Sequence, residues 1–262
     1  MLDLLLFSNS TNANRSYLDH ARDEVAQFLE GVTEVIFVPY ALQDHDTYTA
    51  KVAEALAAHG MSTRGLHTFD SPEYELAEAH AVFVGGGNTF RLVSQLHRQG
   101  LMDPLRTAAL SGTRYMGASA GTNIASPTLR TTNDMPIVEP PSFSTLGLVP
   151  FQINPHYLDA VPGSTHAGET RETRLSEFLE ENDVPVLGLR EGAHLRVTGT
   201  AGEPNFTAMV GGTAVTPGLG PAITFLKGTL PRETAGDISA LFEVPARFDA
   251  GLSGPGQDGP VL

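Results

Sequence analysis

The first 120 residues of the chain alternate between short apolar runs and segments of helical period. The runs are "LDLLLFS", "EVIFVPY", "AVFVGGG" and "TRYMG", with a weaker one in "STRGLHTF". Between them lie "SYLDHARDEVAQFLE", "DTYTAKVAEALAAHG", "PEYELAEAH", "NTFRLVSQLHRQG" and "MDPLRTAALSG". In the first of these, Leu18, Val25, Phe28 and Leu29 fall near helical spacing. Pro72 opens one helix, and Gly60 and Gly100 close two others. Strands that are apolar throughout are covered on both faces, and strands separated by helices run parallel. The alternation therefore predicts an α/β chain built on a mostly parallel sheet.

In such sheets the chemistry gathers at the C-terminal ends of the strands. Two glycine clusters fall there, Gly85–Gly87 and Gly117–Gly121. The second reads "GASAG" and sets Ser119 among the smallest residues, as a sharp strand-to-helix turn carrying a nucleophile requires. A plain glycine turn has the same composition, but the place after a strand and before a helix favours the elbow. A serine hydroxyl needs a base and donors for the oxyanion it creates. The Ala120 N–H, at a helix start, is one candidate donor. The loop "FVGGGNTF" lies one α/β unit earlier and offers Gly87 as another. Its spacing is neither Gly-x-Gly-x-x-Gly nor followed by Gly-Lys-Ser/Thr, so it is no nucleotide loop.

The base falls to one of nine histidines. His20, His59, His80 and His97 sit on or beside surface helices, where a histidine ordinarily does nothing special. His45, in "QDHDTY", has carboxylate neighbours but no second histidine at ligand spacing. His156, in "INPHYLD", follows a short apolar stretch and a proline that fixes the loop, which aims an imidazole from a strand end. Two acids suit the orienting role: Asp134 in "TTNDMPIVEP" and Glu191 in "LGLREGAHL". The residues alone do not separate them.

A net charge of −14 argues against a nucleic-acid partner and gives no attraction to an anionic membrane. With no cysteine, disulfides, thiolate metal sites and cysteine nucleophiles are excluded. The N-terminal apolar run lacks a basic flank and a cleavage site, so a cytoplasmic protein is expected. The second half is loop-rich up to a helix near residues 171–180, then reads as short β segments, with "VPVLGLREGAHLRVTG" a strand, turn and strand. The Gly- and Pro-rich stretch from about Thr229 to the end is expected to be partly mobile.

Taken together, "FVGGGNTF", "GASAGTN", "RTTNDMPIV" and "QINPH", followed by "GETR" and "LREG", resemble the aspartyl dipeptidase (peptidase E) family in the same order. The opening "LLLFSNST" resembles that family's start. The likeness covers residues 1–228 as a single catalytic domain and leaves 229–262 as a C-terminal extension. It implies a three-layer α/β/α sandwich, flavodoxin-like and similar to class I glutamine amidotransferases. It implies a cytoplasmic serine dipeptidase, with no metal or cofactor, that cleaves dipeptides with N-terminal aspartate through an acyl-enzyme. By the same likeness Ser119 is the nucleophile, His156 the base, Gly87 and Ala120 the oxyanion donors and Glu191 the preferred orienter, with Asp134 competing. The chain departs at Ala118, where the family often has a tryptophan that bears on the pocket wall.

A substrate carboxylate calls for an arginine fork. Arg171 in "GETR" is the first choice and Arg130 in "LRTTND" the second, with Glu169 for the ammonium. Three other classes stay open: an α/β-hydrolase esterase, a cyanophycinase-like hydrolase of β-aspartyl bonds, and a non-catalytic binder of acidic ligands. A homodimer is plausible for such a fold.

Overall fold

The structure is a computed structural model and describes residues 1–160, 168–200 and 205–250. Strands β1 (Leu2–Phe7), β2 (Glu34–Val38), β3 (Ser62–Gly65), β4 (Ala81–Val84) and β5 (Arg114–Ala118) form the parallel part of the main sheet. They lie in the order β1-β5-β4-β2-β3. Next to β1, antiparallel β8 (Ala193–Gly199), β9 (Thr207–Gly212) and β12 (Gly236–Asp237) extend the sheet to eight strands.

Alternation along β1 sends Leu5 and Phe7 to one face and Leu2, Leu4 and Leu6 to the other. The first face is covered by α1 (Arg22–Phe28) and α2 (His45–Ala57), which contribute Val25, Phe28, Val52 and Leu56. The second carries α3 (Pro72–Glu78), α4 (Thr89–Arg98), α5 (Met102–Ser111) and the single turn α6 (Ala120–Asn123). The three-layer sandwich is thus the observed architecture.

A second sheet of four strands joins the core of that face through Ile153, Leu187 and Leu189. Its order is β11 (Arg232–Thr234), β10 (Ala222–Phe225), β7 (Val186–Arg190) and β6 (Gln152–Tyr157). Helix α7 (Arg171–Glu181) covers it through Leu175 and Leu179, which pack with Val186 and Phe225. The stretch "VPVLGLREGAHLRVTG" is therefore a strand, turn and strand, but the two strands join different sheets.

Other local differences have simple causes. The helix expected across residues 16–30 is shorter, because Leu18 takes a left-handed backbone (φ 59°) and a tight turn at Asp19–Ala21 precedes α1. The expected extension is not separate from the domain as far as residue 250. Strand β11 pairs with β10, β12 pairs with β9, and Arg247 exchanges backbone hydrogen bonds with Asp183. Residues 251–262 lie outside the described residues, as do 161–167 within the long loop before α7.

Candidate active site

Strand β5 ends at Ala118, and α6 starts at Ala120. Ser119 bridges them at φ 52° and ψ −108°, a conformation that side chains rarely adopt and that costs about 1–3 kcal/mol. Small neighbours make it possible. A methyl group at Gly121 would collide with the Val84 carbonyl, and one at Gly117 would lie 2.6 Å from the Gly121 oxygen. The strained residue is held by its own N–H, which donates to the Phe7 carbonyl at 3.1 Å. Thr122 Oγ1 donates to that same oxygen at 2.6 Å.

Because β4 lies beside β5, the Gly85–Gly87 loop comes to rest against the serine. A Cβ on Gly86 would stand 3.0 Å from Ser119 Cβ. Gly87 has φ +134°, open to glycine alone, and no Cβ fits there beside the Ala41 carbonyl and Leu42. Among the described residues, neither the Gly87 nor the Ala120 amide has a backbone acceptor.

His156 approaches from the other sheet. It sits near the end of β6, itself at positive φ (53°), where the β6–β7 register shifts between Pro155 and Tyr157. Its Nε2 lies 2.9 Å from Ser119 Oγ, and its Nδ1 lies 2.8 Å from Glu191 Oε1. With Nδ1–H donating its hydrogen bond to Glu191, Nε2 is left as the acceptor facing the serine. Glu191 occupies the turn where the chain leaves β7 for β8. The nucleophile therefore stands on one sheet, the imidazole on the other, and the carboxylate at the crossover between them.

Two residues that the sequence reading passed over fix this junction. Ser8 and Asn9 follow β1 and are buried. Ser8 Oγ donates to the Leu189 carbonyl at 2.7 Å and accepts from the His156 N–H at 2.9 Å. Asn9 Oδ1 accepts from the Gly192 N–H at 2.8 Å and so pins the Glu191 turn. The available signal was a polar triplet, "SNS", directly after a continuously apolar strand.

The "TTND" and "INPH" motifs bind each other. Asn133 Nδ2 donates to the Pro155 carbonyl at 2.6 Å, and Asn154 Nδ2 donates to Asn133 Oδ1 at 2.8 Å. Asp134 is engaged elsewhere than at the histidine. Its Oδ2 accepts from Thr89 N at 2.6 Å and from Thr89 Oγ1 at 2.7 Å, at the start of α4. An acid there answers the unpaired amides of the first helical turn, and this helix begins directly after Gly87 and Asn88.

Arg130 forms a two-pronged pair with Asp249 at 2.8 and 3.1 Å, reaches Asn182 at 3.2 Å, and stacks over Phe248. That fixes it to the far end of α7 and corrects the expectation of a substrate role. Glu169 pairs with Arg174 at 3.5 Å, so the ammonium role expected of it is likewise not assigned. Arg171, the first residue of α7, is partly buried and has no carboxylate within ion-pair distance among the described residues. Burial and then Arg174 pull its pKa down, while the charge of Asp134 acts the other way. Ala118 is fully buried in the core with Phe7 and Met116, so the departure there falls in the packing and not on a pocket wall.

The surroundings of His45 also differ from expectation. His67 comes against it, with ring centroids 5.3 Å apart, and binds Asp46 at 2.8 Å. Among the described residues no group of three or more metal-binding side chains converges. No helix among them is long and apolar enough to cross a membrane.

Residues 4–203 match the model of peptidase family S51. The chain belongs to that family. It is a serine peptidase, and the resemblance carried by the motifs is borne out. A peptidase E of Streptomyces coelicolor is 60% identical over 252 residues, covering 95% of this chain and 99% of that protein. A Drosophila melanogaster protein named "Probable alpha-aspartyl dipeptidase" is 52% identical over 200 residues, covering 75% of this chain and 83% of its own. The 1.5 Å crystal structure of a Listeria monocytogenes protein superposes with a TM-score of 0.60 at 21% identity, over 82% of this chain and all of that one, which shows the shared fold.

Proposed function

We propose that this S51 peptidase hydrolyses dipeptides with an N-terminal aspartate through an acyl-enzyme on Ser119. The observation that carries the proposal is the continuous contact from Ser119 Oγ through His156 to Glu191, at 2.9 and 2.8 Å.

In this reading His156 Nε2 takes the proton as Ser119 Oγ attacks the peptide carbonyl. Glu191 holds the imidazole in the right tautomer and stabilises its charged form. The amides of Gly87 and Ala120 receive the oxyanion, and preorganised donors of this kind are worth about 3–4 kcal/mol each in the transition state. His156 then returns the proton to the departing amine. Water, activated by the same imidazole, frees the aspartate from its ester.

Selectivity for aspartate falls to Arg171. Its guanidinium has no carboxylate partner among the described residues, whereas Arg130, Arg174 and Arg190 all do. A substrate carboxylate would supply one and recover the cost of Arg171's partial burial. The names of the Streptomyces and Drosophila relatives agree with this reading.

The experiment compares wild type and Ser119→Ala on Asp-Leu, its β-linked isomer and Leu-Leu. Cleavage of Asp-Leu alone, lost by at least about a thousandfold in the variant, is the expected result. A preference for the β-linked isomer would move the activity to isopeptide bonds. Equal cleavage of Leu-Leu would remove Arg171 from the specificity argument.

A further inference from the structure

We propose that strand β11 completes the catalytic site, with Glu233 and Asp159 clamping Arg190 so that Arg190 positions Glu191 against His156. The inference rests on the serine-peptidase mechanism proposed above.

Arg190 is the last residue of β7 and the immediate neighbour of Glu191. It is 2% exposed, an unusual place for a permanent charge. Two carboxylates grip its fork. Asp159 accepts from Nε and Nη2 at 2.7 and 2.6 Å, and Glu233 accepts from Nη1 and Nη2 at 2.8 and 2.7 Å. The carbonyls of Gly220 and Ala222 accept from Nη1 at 2.9 and 3.2 Å. The cation also lies over the Tyr157 ring, 5.7 Å from its centroid. Its pKa is raised, first by the Asp159 hydrogen bonds.

Each partner comes from an element that matters to the site. Asp159 lies just past His156, on the chain leaving β6. Glu233 lies on β11, outside the residues 4–203 that the family model matches. One guanidinium thus ties together the departure of His156, the departure of Glu191 and the C-terminal strand. Asp159 alone would offer a bidentate partner. The second carboxylate adds a second charged fork: it takes the Nη2 hydrogen that Asp159 leaves open and shares Nη1 with the Gly220 and Ala222 carbonyls. With Arg190 locked on one side of β7, the backbone from which Glu191 departs is locked as well. The 2.8 Å contact to His156 Nδ1 depends on that departure.

The test uses the full chain with Glu233→Gln, which removes the charge but keeps the shape, and Glu233→Asp, which keeps the charge. Three readouts are taken: kcat and KM on Asp-Leu, the thermal midpoint, and the His156 Nδ1 proton resonance in histidine-labelled protein. In Glu233→Gln the expected result is kcat lower by about tenfold with KM within about twofold. The midpoint should stay within about 3 °C, while the Nδ1 resonance moves upfield and exchanges faster. Glu233→Asp should recover part of kcat. Unchanged kcat with an unchanged resonance would overturn the clamp. So would a loss of activity that only follows the unfolded fraction. If Glu233→Gln does not fold, the resonance in Glu233→Asp decides alone. If wild type fails to cleave Asp-Leu, the proposed aspartate specificity falls, and the Nδ1 resonance still judges the clamp.

Discussion

His156 Nδ1 lies 2.8 Å from Glu191 Oε1, where the chain leaves the four-stranded sheet for the main one. Asp134, the other acid in the family motifs, instead accepts at Oδ2 from the Thr89 amide and hydroxyl, at 2.6 and 2.7 Å. The two carboxylates should therefore fail differently. In Glu191→Gln the amide can hold the ring in the wrong tautomer and cannot stabilise the imidazolium, so kcat should fall by at least about a hundredfold. Asp134→Asn should cost about tenfold or less, since it acts only through the start of α4. Measuring kcat/KM for both on Asp-Leu checks this. A deeper loss in Asp134→Asn would reverse the assignment.

The same contacts predict a stability effect at Asp134 with no counterpart at Glu191. Asp134 closes the first turn of α4 by accepting from the Thr89 amide and hydroxyl. Removing such a cap costs about 1 kcal/mol. For a domain of this size that is about 2–4 °C in the thermal midpoint. Asp134→Ala should show this loss in a melt followed by circular dichroism, whereas Glu191→Gln should melt near wild type.

Gly121 offers a sharper structural test of the elbow. A methyl group there would overlap the Val84 carbonyl and come 3.0 Å from the Val84 side chain. Backbone on a central strand cannot retreat, so Gly121→Ala should destabilise by about 2–3 kcal/mol or more and displace Ser119. The expected outcome is a clearly lowered midpoint, together with a kcat loss that persists in the folded fraction at low temperature.

What could be read in the sequence was local. The apolar runs and helical periods found the parallel strands, because burial on both faces leaves a mark in each strand by itself. The glycines at 87, 117 and 121 could be read because a positive φ at the first and close backbone approach at the other two admit few other residues. What could not be read depends on distant partners. Ser8 bonds to Leu189, 181 residues away, and nothing near either residue announces it. Glu191-Gly192 has the same turn signature whether its strands pair with each other or part to two sheets. The tail looked like an extension by its Gly and Pro content, yet residues 232–237 meet both sheets through only a few backbone pairs. His20 reads as a surface-helix residue because the apolar period runs unbroken from Leu18 to Leu29 in the sequence. The left-handed Leu18 ends that period and turns His20 inward.

That partly buried histidine carries the last prediction. His20 and His194 both pack edge-on to Phe7, with centroids 6.3 and 6.1 Å away. Both His20 ring nitrogens are buried and neither meets a hydrogen-bond partner in good geometry. Burial lowers the pKa of both rings, and the charge of His20 lowers that of His194 further, while Glu24 opposes the shift in each. Since the folded pKa values lie below the ordinary 6.5, the unfolded chain binds more protons between the two. Stability must then rise with pH through that interval and fall as the solution is acidified below about 6.5. The thermal midpoint of wild type should drop between about pH 7 and pH 5. His194→Gln, which cannot take up a proton there, should flatten that dependence. A slope unchanged in the variant would place the acid sensitivity on other groups.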